Sequence, residues 1–328
     1  MRITSDFMLG SAEAPSEAEG QVNAFQVRLL TKEALPSVIA IDRKFSGRER
    51  TEFFHDKYAS CVGDPGINTS LVAMHDGTPV GFLFGQLFFG EFGIPSPRAV
   101  LDTFGVLPSF LGKGVARALL SQYRKNLEGL RVEAIDTLVA WDRPDLLSFF
   151  HGMGFHPSRN VDLVWDTVRY PFAGRGSDAR IRPATEHDLP AIAAIAEEAG
   201  LTGQSRFFTT KLANARARPG KNLFIVAEHA GEPAAYLVGR LFYGEFGIDI
   251  TRGVIDSFAV REAFHHQGIG SAVMGHLLER VRKLKVTQME TLVRWNHWEI
   301  LQFLEYVGFR PSARINLEWR FAHARDEE

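Results

Sequence analysis

Cysteine is almost missing from this chain of 328 residues, where Cys61 stands alone. A single thiol forms no internal disulfide and supplies no multi-cysteine zinc site. The expectation is a reducing compartment, read here as the cytoplasm. Long apolar runs are missing too, and nothing approaches the roughly 20 residues that cross a bilayer. The first 21 residues lack the apolar centre of a secretory signal, since Arg2, Asp6, Glu13, Glu17 and Glu19 interrupt small residues. Charge of one sign is absent: 37 Lys and Arg oppose 39 Asp and Glu, a net −2. That balance offers no field to nucleic acid or an anionic membrane, and neither is expected as a partner. Apolar residues at 45% and charged residues at 23% exclude a disordered or collagen-like chain.

What the sequence does contain, it contains twice. Phe89-Gly90-Glu91-Phe92-Gly93-Ile94 returns as Tyr243-Gly244-Glu245-Phe246-Gly247-Ile248, 154 positions later. Val100-Leu101-Asp102-Thr103-Phe104 returns at the same offset as Val254-Ile255-Asp256-Ser257-Phe258. Leu138-Val139-Ala140-Trp141 matches Leu292-Val293-Arg294-Trp295, and Gly154-Phe155 matches Gly308-Phe309. The offset holds without a gap from Val27 to Trp165, so the period is a whole domain and not a solenoid repeat. Domain one is expected at 22–172 after a loose tail at 1–21. A Gly-rich linker at 173–177 leads into domain two at 178–323, followed by a charged tail at 324–328.

Both copies read alike. A stripe of Leu35, Val38 and Ile39 predicts a helix after Thr31, repeated by Leu189, Ile192 and Ile195 after Thr185. Residues 71–74 and 80–89 predict a hairpin about Asp76-Gly77, with a partner about Gly231. A strand at 100–106 meets a glycine-bearing loop and a long helix marked by positions 115, 119, 123, 127 and 130. A strand, a short helix and a last strand close each copy, the last carrying Leu163 and Trp165 or Leu317 and Trp319. The fold class is mixed α/β, two domains in tandem.

The chemistry is expected at the loop between strand and long helix. It reads Val106-Leu107-Pro108-Ser109-Phe110-Leu111-Gly112-Lys113-Gly114-Val115-Ala116 in copy one. Copy two has Val260-Arg261-Glu262-Ala263-Phe264-His265-His266-Gln267-Gly268-Ile269-Gly270. Glycines at a helix start expose successive N–H groups to a phosphate, helped by the helix dipole. The alternative is a turn that uses glycine for its backbone angles alone. No Lys-Ser or Lys-Thr follows, so this is not a P-loop, and the spacing is a poor dinucleotide fingerprint.

Gly-Lys-Gly-Val-Ala ahead of a long helix, with the hairpin before it and Gly-Phe after it, resembles the acyl-CoA motif of the GNAT N-acyltransferases. The resemblance covers nearly all of both copies. It implies acetyl-CoA or another acyl-CoA as cofactor and direct transfer of the acyl group to an amine, a small molecule being the expected acceptor. In copy one it implies cofactor contacts from Phe104, Gly105, Val106, Gly112, Lys113, Gly114, Val115, Ala116 and Arg117. In copy two they fall on Phe258, Ala259, Val260, His265, His266, Gln267, Gly268, Ile269, Gly270, Ser271 and Asn296. Leu111 and His265 stand where the family prefers Arg or Gln. A Tyr that protonates the leaving thiolate in many members is replaced by Phe150 and Leu304.

Acyl transfer to an amine calls for a group that takes a proton. Asp102 and Asp256 lie four residues before Val106 and Val260, and alternation places them on the same strand face. Each is either the base or a carboxylate that holds neighbouring backbone. Glu91 and Glu245 are the second catalytic candidates. His75 and His229 are read as solvent-facing. The competing function class is an acyl-CoA-binding sensor or scaffold without turnover.

Overall fold

The computed structural model describes residues 25–63, 67–89, 96–172, 174, 176–201, 203–243 and 251–323. Copy one runs β1 (Gln26–Leu29), α1 (Leu35–Ser46), α2 (Thr51–Gly63), β2 (Leu71–His75), β3 (Thr78–Phe89) and β4 (Pro97–Val106). It continues with α3 (Val115–Glu128), β5 (Ala134–Ala140), α4 (Pro144–Gly152), β6 (His156–Pro157) and β7 (Asn160–Asp166). Copy two repeats the order as β8 (Arg180–Pro183), α5 (Leu189–Glu198), α6 (Ser205–Ala217), β9 (Asn222–His229), β10 (Glu232–Tyr243) and β11 (Thr251–Val260). Then come α7 (Ile269–Lys283), β12 (Gln288–Arg294), α8 (Trp298–Val307), β13 (Arg310–Pro311) and β14 (Arg314–Arg320).

The long helix α3 forms because Val115, Leu119, Leu120, Tyr123 and Leu127 fall on one buried face. Helix α1 starts with Pro36 in its first turn and stops at Gly47, whose φ of 67° ends it with an N–H bonded to the Arg43 carbonyl. The sequence reading has no counterpart for α2, α6, β1 or β8. Helices α2 and α6 bury Phe53 and Phe54, or Phe207 and Phe208, next to a buried lysine, so their apolar stripe is broken by charge.

Each copy contributes to a seven-stranded mixed sheet with apolar cores on both faces. The orders are β1-β2-β3-β4-β5-β14-β6 and β8-β9-β10-β11-β12-β7-β13. The last strand therefore does not complete its own copy. Strand β14 pairs antiparallel with β5 from Arg314↔Ala140 to Arg320↔Ala134, while β7 pairs with β12 from Asn160↔Arg294 to Asp166↔Gln288. The 22–172 and 178–323 boundaries divide the chain by sequence, but the sheets interlock across them. The repeat permits the exchange, because β7 and β14 carry the same Leu and Trp, and the unlike charges on the two strands select it.

Trp165 is completely buried in the second core, 5.5 Å from Phe309, and its Nε1 donates to the Tyr170 carbonyl at 2.7 Å. Trp319 lies in the first core under the Arg124 guanidinium, 4.2 Å away. Buried ion pairs tie the exchanged strands. Arg98 of β4 holds Asp136 at 2.8 Å and Glu318 of β14 at 2.7 Å. Arg314 of β14 reaches across to Asp162 at 2.8 Å and Glu290 at 2.9 Å. Burial, and then the Asp162 charge, push the Glu290 carboxyl above its ordinary pKa. Among the described residues, no helix is long and apolar enough to cross a membrane.

Candidate functional site

Strands β4 and β5 start side by side and then part. Their parallel pairing covers Arg98–Val100 against Ala134–Asp136, although β4 runs on to Val106 and β5 to Ala140. The Thr137 hydroxyl donates to the Leu101 carbonyl at 2.9 Å, where the gap opens. Copy two repeats this: β11 and β12 pair at Gly253–Val254, and Thr291 donates to Ile255 at 3.0 Å.

The ladder to β3 tells which backbone groups look into the gap. The Leu107 N–H donates to the Val80 carbonyl at 2.9 Å, so Leu107 and Gly105 turn their peptide groups toward β3. By antiparallel alternation, Phe104 and Val106 turn theirs into the gap. In copy two the Arg261 N–H donates to Ala234 at 2.8 Å, which leaves Phe258 and Val260 facing the gap and Ala259 bonded to β10. Each gap is thus an internal strand edge able to bond a ligand that carries amides.

A bulge alters the reading of the aspartates. Pairing passes from Phe84↔Thr103 to Gly85↔Leu101 and skips Asp102; it passes from Val238↔Ser257 to Gly239↔Ile255 and skips Asp256. The extra residue shifts the alternation. Val106 and Phe104 pack with the core under α3, whereas Asp102 turns to the opposite face, under α2. The expectation that Asp102 shares a face with Val106 is corrected by that bulge, and the same holds for Asp256 and Val260. Lys57 Nζ lies 2.8 Å from Asp102, with both side chains 2% exposed. Lys211 Nζ lies 2.8 Å from Asp256, and Arg240 Nε approaches it at 3.5 Å. Gln86 holds the Arg240 position in copy one. The reading of the sequence missed both lysines. Their signal was the repetition of Phe-Phe-x-x-Lys in the two copies at the offset of the aspartates.

At the end of β4 the chain makes a short 3-10 turn, Pro108–Phe110, and then two left-handed residues, Gly112 at φ 74° and Gly114 at φ 88°. The first bond inside α3 runs from the Ala118 N–H to the Gly114 carbonyl at 2.9 Å. The N–H groups of Val115, Ala116 and Arg117 therefore precede the helical ladder and face outward at its positive end. Copy two places His266 at φ 61° and Gly268 at φ 79°, and its first helical bond is Ala272 to Gly268 at 2.9 Å. Ile269, Gly270 and Ser271 then hold the free first turn. Gly270 lies under the stacked rings of Phe258 and Phe303, and a Cβ there would meet Phe303 at 3.2 Å.

His75 is half-buried between the rings of Phe25 at 5.6 Å and Phe110 at 5.2 Å, and His229 packs on Phe264 at 5.3 Å. They brace the loop from behind and are not simply solvent-facing. Lys113 extends over Phe110 at 5.0 Å, and Gln267 donates to the Ala263 carbonyl at 3.1 Å. Asn296 is exposed in the turn between β12 and α8. Phe150 and Leu304, where the resemblance expects a Tyr, are buried. Glu91 and Glu245 lie outside the described residues. Phe104 and Val106 lie on the β4 edge with residues 112–117 at the start of α3, and Phe258 and Val260 lie on the β11 edge with residues 266–271 at the start of α7.

The acetyltransferase (GNAT) family matches residues 35–155 and 190–309, once per copy. No curated protein matches the sequence. Among solved structures, a GCN5-related N-acetyltransferase from Sphaerobacter thermophilus aligns with TM-score 0.63 at 15% identity, over 91% of this chain and 96% of the other. A tandem GNAT protein from the clavulanic acid biosynthesis pathway aligns with TM-score 0.59 at 16% identity, over 93% and 100%. A GCN5-related glucosamine N-acetyltransferase region of a fungal multi-domain β-N-acetylglucosaminidase aligns with TM-score 0.61 at 16% identity. That alignment covers 90% of this chain but 38% of the longer protein. These likenesses concern the fold.

Proposed function

The chain belongs to the acetyltransferase (GNAT) family, and on that premise we propose that it transfers an acyl group, acetyl in the simplest case, from acyl-CoA to a small-molecule amine by direct attack. One observation carries the reading: an internal strand edge opens beside a helix start with free N–H groups, and it does so twice. The donor set fits the cofactor. The N–H groups of Gly114, Val115, Ala116 and Arg117 suit a pyrophosphate, and the peptide groups of Phe104 and Val106 suit amides along an extended arm. In copy two the same parts are Gly268, Ile269, Gly270 and Ser271 with Phe258 and Val260.

Bound acyl-CoA would supply a thioester carbonyl and a thiolate leaving group. The chain's part is to hold that carbonyl near a gap-facing N–H, to exclude water with Phe104 and Phe149 or Phe258 and Phe303, and to accept a proton from the amine. A carboxylate bound by a buried ammonium at 2.8 Å is a poor proton acceptor, because protonating it would give up that charge pairing. Asp102 and Asp256 therefore read best as anchors of the bulge. Glu91 and Glu245 become the carboxylates to test as base. A thiol of pKa about 8.5 leaves near neutral pH without the missing Tyr.

The second reading, an acyl-CoA sensor without turnover, is favoured by those paired aspartates and by Phe150 and Leu304. Incubating the full chain with acetyl-CoA and a pooled amine library separates the two. Free thiol and new amides, lost in the Gly114→Glu, Gly268→Glu double variant, support transfer. Binding of acetyl-CoA without any thiol release supports the sensor.

A further inference from the structure

The two gaps are built alike, but in one of them an edge carbonyl is already bonded by a side chain of the protein itself. His265 Nε2 lies 2.9 Å from the Val260 carbonyl. A carbonyl only accepts, so Nε2 carries the proton and donates. Val260 is one of the residues whose peptide groups face the second gap, and its carbonyl is one a ligand amide would use. The counterpart of His265 in copy one is Leu111, which is 65% exposed and has no donor for Val106. The imidazole is not placed there by chance rotation alone. His266 takes the left-handed conformation that Gly112 takes in copy one, and Gln267 ties the same turn to Ala263 at 3.1 Å. The loop backbone is thus kept while the side chain at its front changes from an inert Leu to a donor that reaches back to the strand.

We infer that His265 is an internal competitor for the ligand edge of copy two, so that copy one takes up acyl-CoA first and copy two loads only when the imidazole lets go. The inference rests on the acyl-CoA reading above. His265 is exposed, so it acts as a gate and not as a plug, and its release is the only added step. Giving up one neutral hydrogen bond at the surface corresponds to about a fivefold change in an equilibrium constant. Copy two should therefore bind about fivefold more weakly than it would with the edge open. The ring and a ligand N–H seek the same Val260 carbonyl, so the His265 bond and ligand binding compete at one oxygen.

The test is titration of the full chain with acetyl-CoA by calorimetry. Gly114→Glu isolates copy two and Gly268→Glu isolates copy one. In the Gly114→Glu background, His265→Leu should tighten binding about fivefold. In the Gly268→Glu background, Leu111→His should weaken it. The His265 ring proton on Nε2, followed by NMR, should be protected in the free chain and lost at saturation of copy two. Thermal melts that match the parent chain establish that each variant is folded, since both positions are exposed loop residues. If His265→Leu weakens binding, the imidazole is a ligand donor and the inference is wrong. If it changes nothing, the bond to Val260 is idle and the inference is equally wrong. No acetyl-CoA binding in the parent chain or any variant would remove the acyl-CoA reading together with the gate.

Discussion

Copy one and copy two agree in what opens the gap and differ in what surrounds it. Both keep the bulge, the parting of two parallel strands and a left-handed residue before the helix. Around these, copy one sets Lys57 against Asp102, while copy two sets Lys211 and Arg240 against Asp256. The Arg240 guanidinium also lies over the Phe88 ring of copy one at 5.4 Å. Copy two thus leans on copy one at its own bulge. The difference teaches that duplication kept the backbone geometry of the gap and released the side chains around it.

The harshest way to break that comparison is to end the chain after Pro311. By sequence this shortens copy two, yet it takes the strand between β5 and β6 from the first sheet. The first half should lose its near-ultraviolet dichroism and the amide protection of Ala134–Ala140. Retained protection there would mean that β7 can return to its own copy. A milder cut is Trp165→Ala, which should cost about 3–5 kcal/mol in the second half although residue 165 belongs to copy one. Trp319 is less buried, so Trp319→Ala should cost less; denaturant midpoints followed in each half would reveal the opposite assignment.

Asp102→Asn should cost roughly 3 kcal/mol, because Lys57 would be left buried without its carboxylate. Asp256→Asn should cost more, with Lys211 and Arg240 both facing a neutral amide. Urea midpoints check the order. A normal midpoint combined with lost turnover would instead restore these aspartates as bases.

The smallest effect is an acid one. The Arg182 guanidinium holds the Asp188 carboxyl down at about 2, helped by Thr185. The folded value lies below the unfolded one near 3.9. Its contribution is therefore complete above about pH 4 and lost as pH falls toward 2. Ala34 holds this position in copy one. Asp188→Ala should flatten the decline of melting temperature between pH 4 and 2, and an unchanged decline would deny the pair any role.

Much of the architecture was legible because it is local. Period and offset revealed the duplication, and apolar residues at helical spacing revealed α3 and α7. The loop glycines marked the turn before each long helix, where Gly112, Gly114 and Gly268 take left-handed backbone angles. Helix α2 was hidden because Lys57 sits on its buried side, and its partner Asp102 is far along the chain. The bulge was hidden because period-two alternation assumes an unbroken ladder; Gly85 and Gly239, repeated inside a strand, were its signal. The strand exchange had no local signal, since two equal strands fit two equal slots. Only the unequal charges hinted at it: Glu318 finds Arg98, and Arg314 finds Asp162, each in the other copy.

The exchange also sets a timetable for synthesis. Strand β5 is complete at Ala140, but the strand that covers its edge begins at Arg314. At roughly 5–20 residues per second, that edge waits on the order of 10–35 seconds on the ribosome. An uncovered edge is a template for pairing with any neighbouring chain. The second sheet has no such delay, because β7 is already made when β12 emerges. The half that is synthesised first is the half that receives its final strand last, and a nascent chain stalled between Ala140 and Arg314 lacks that strand.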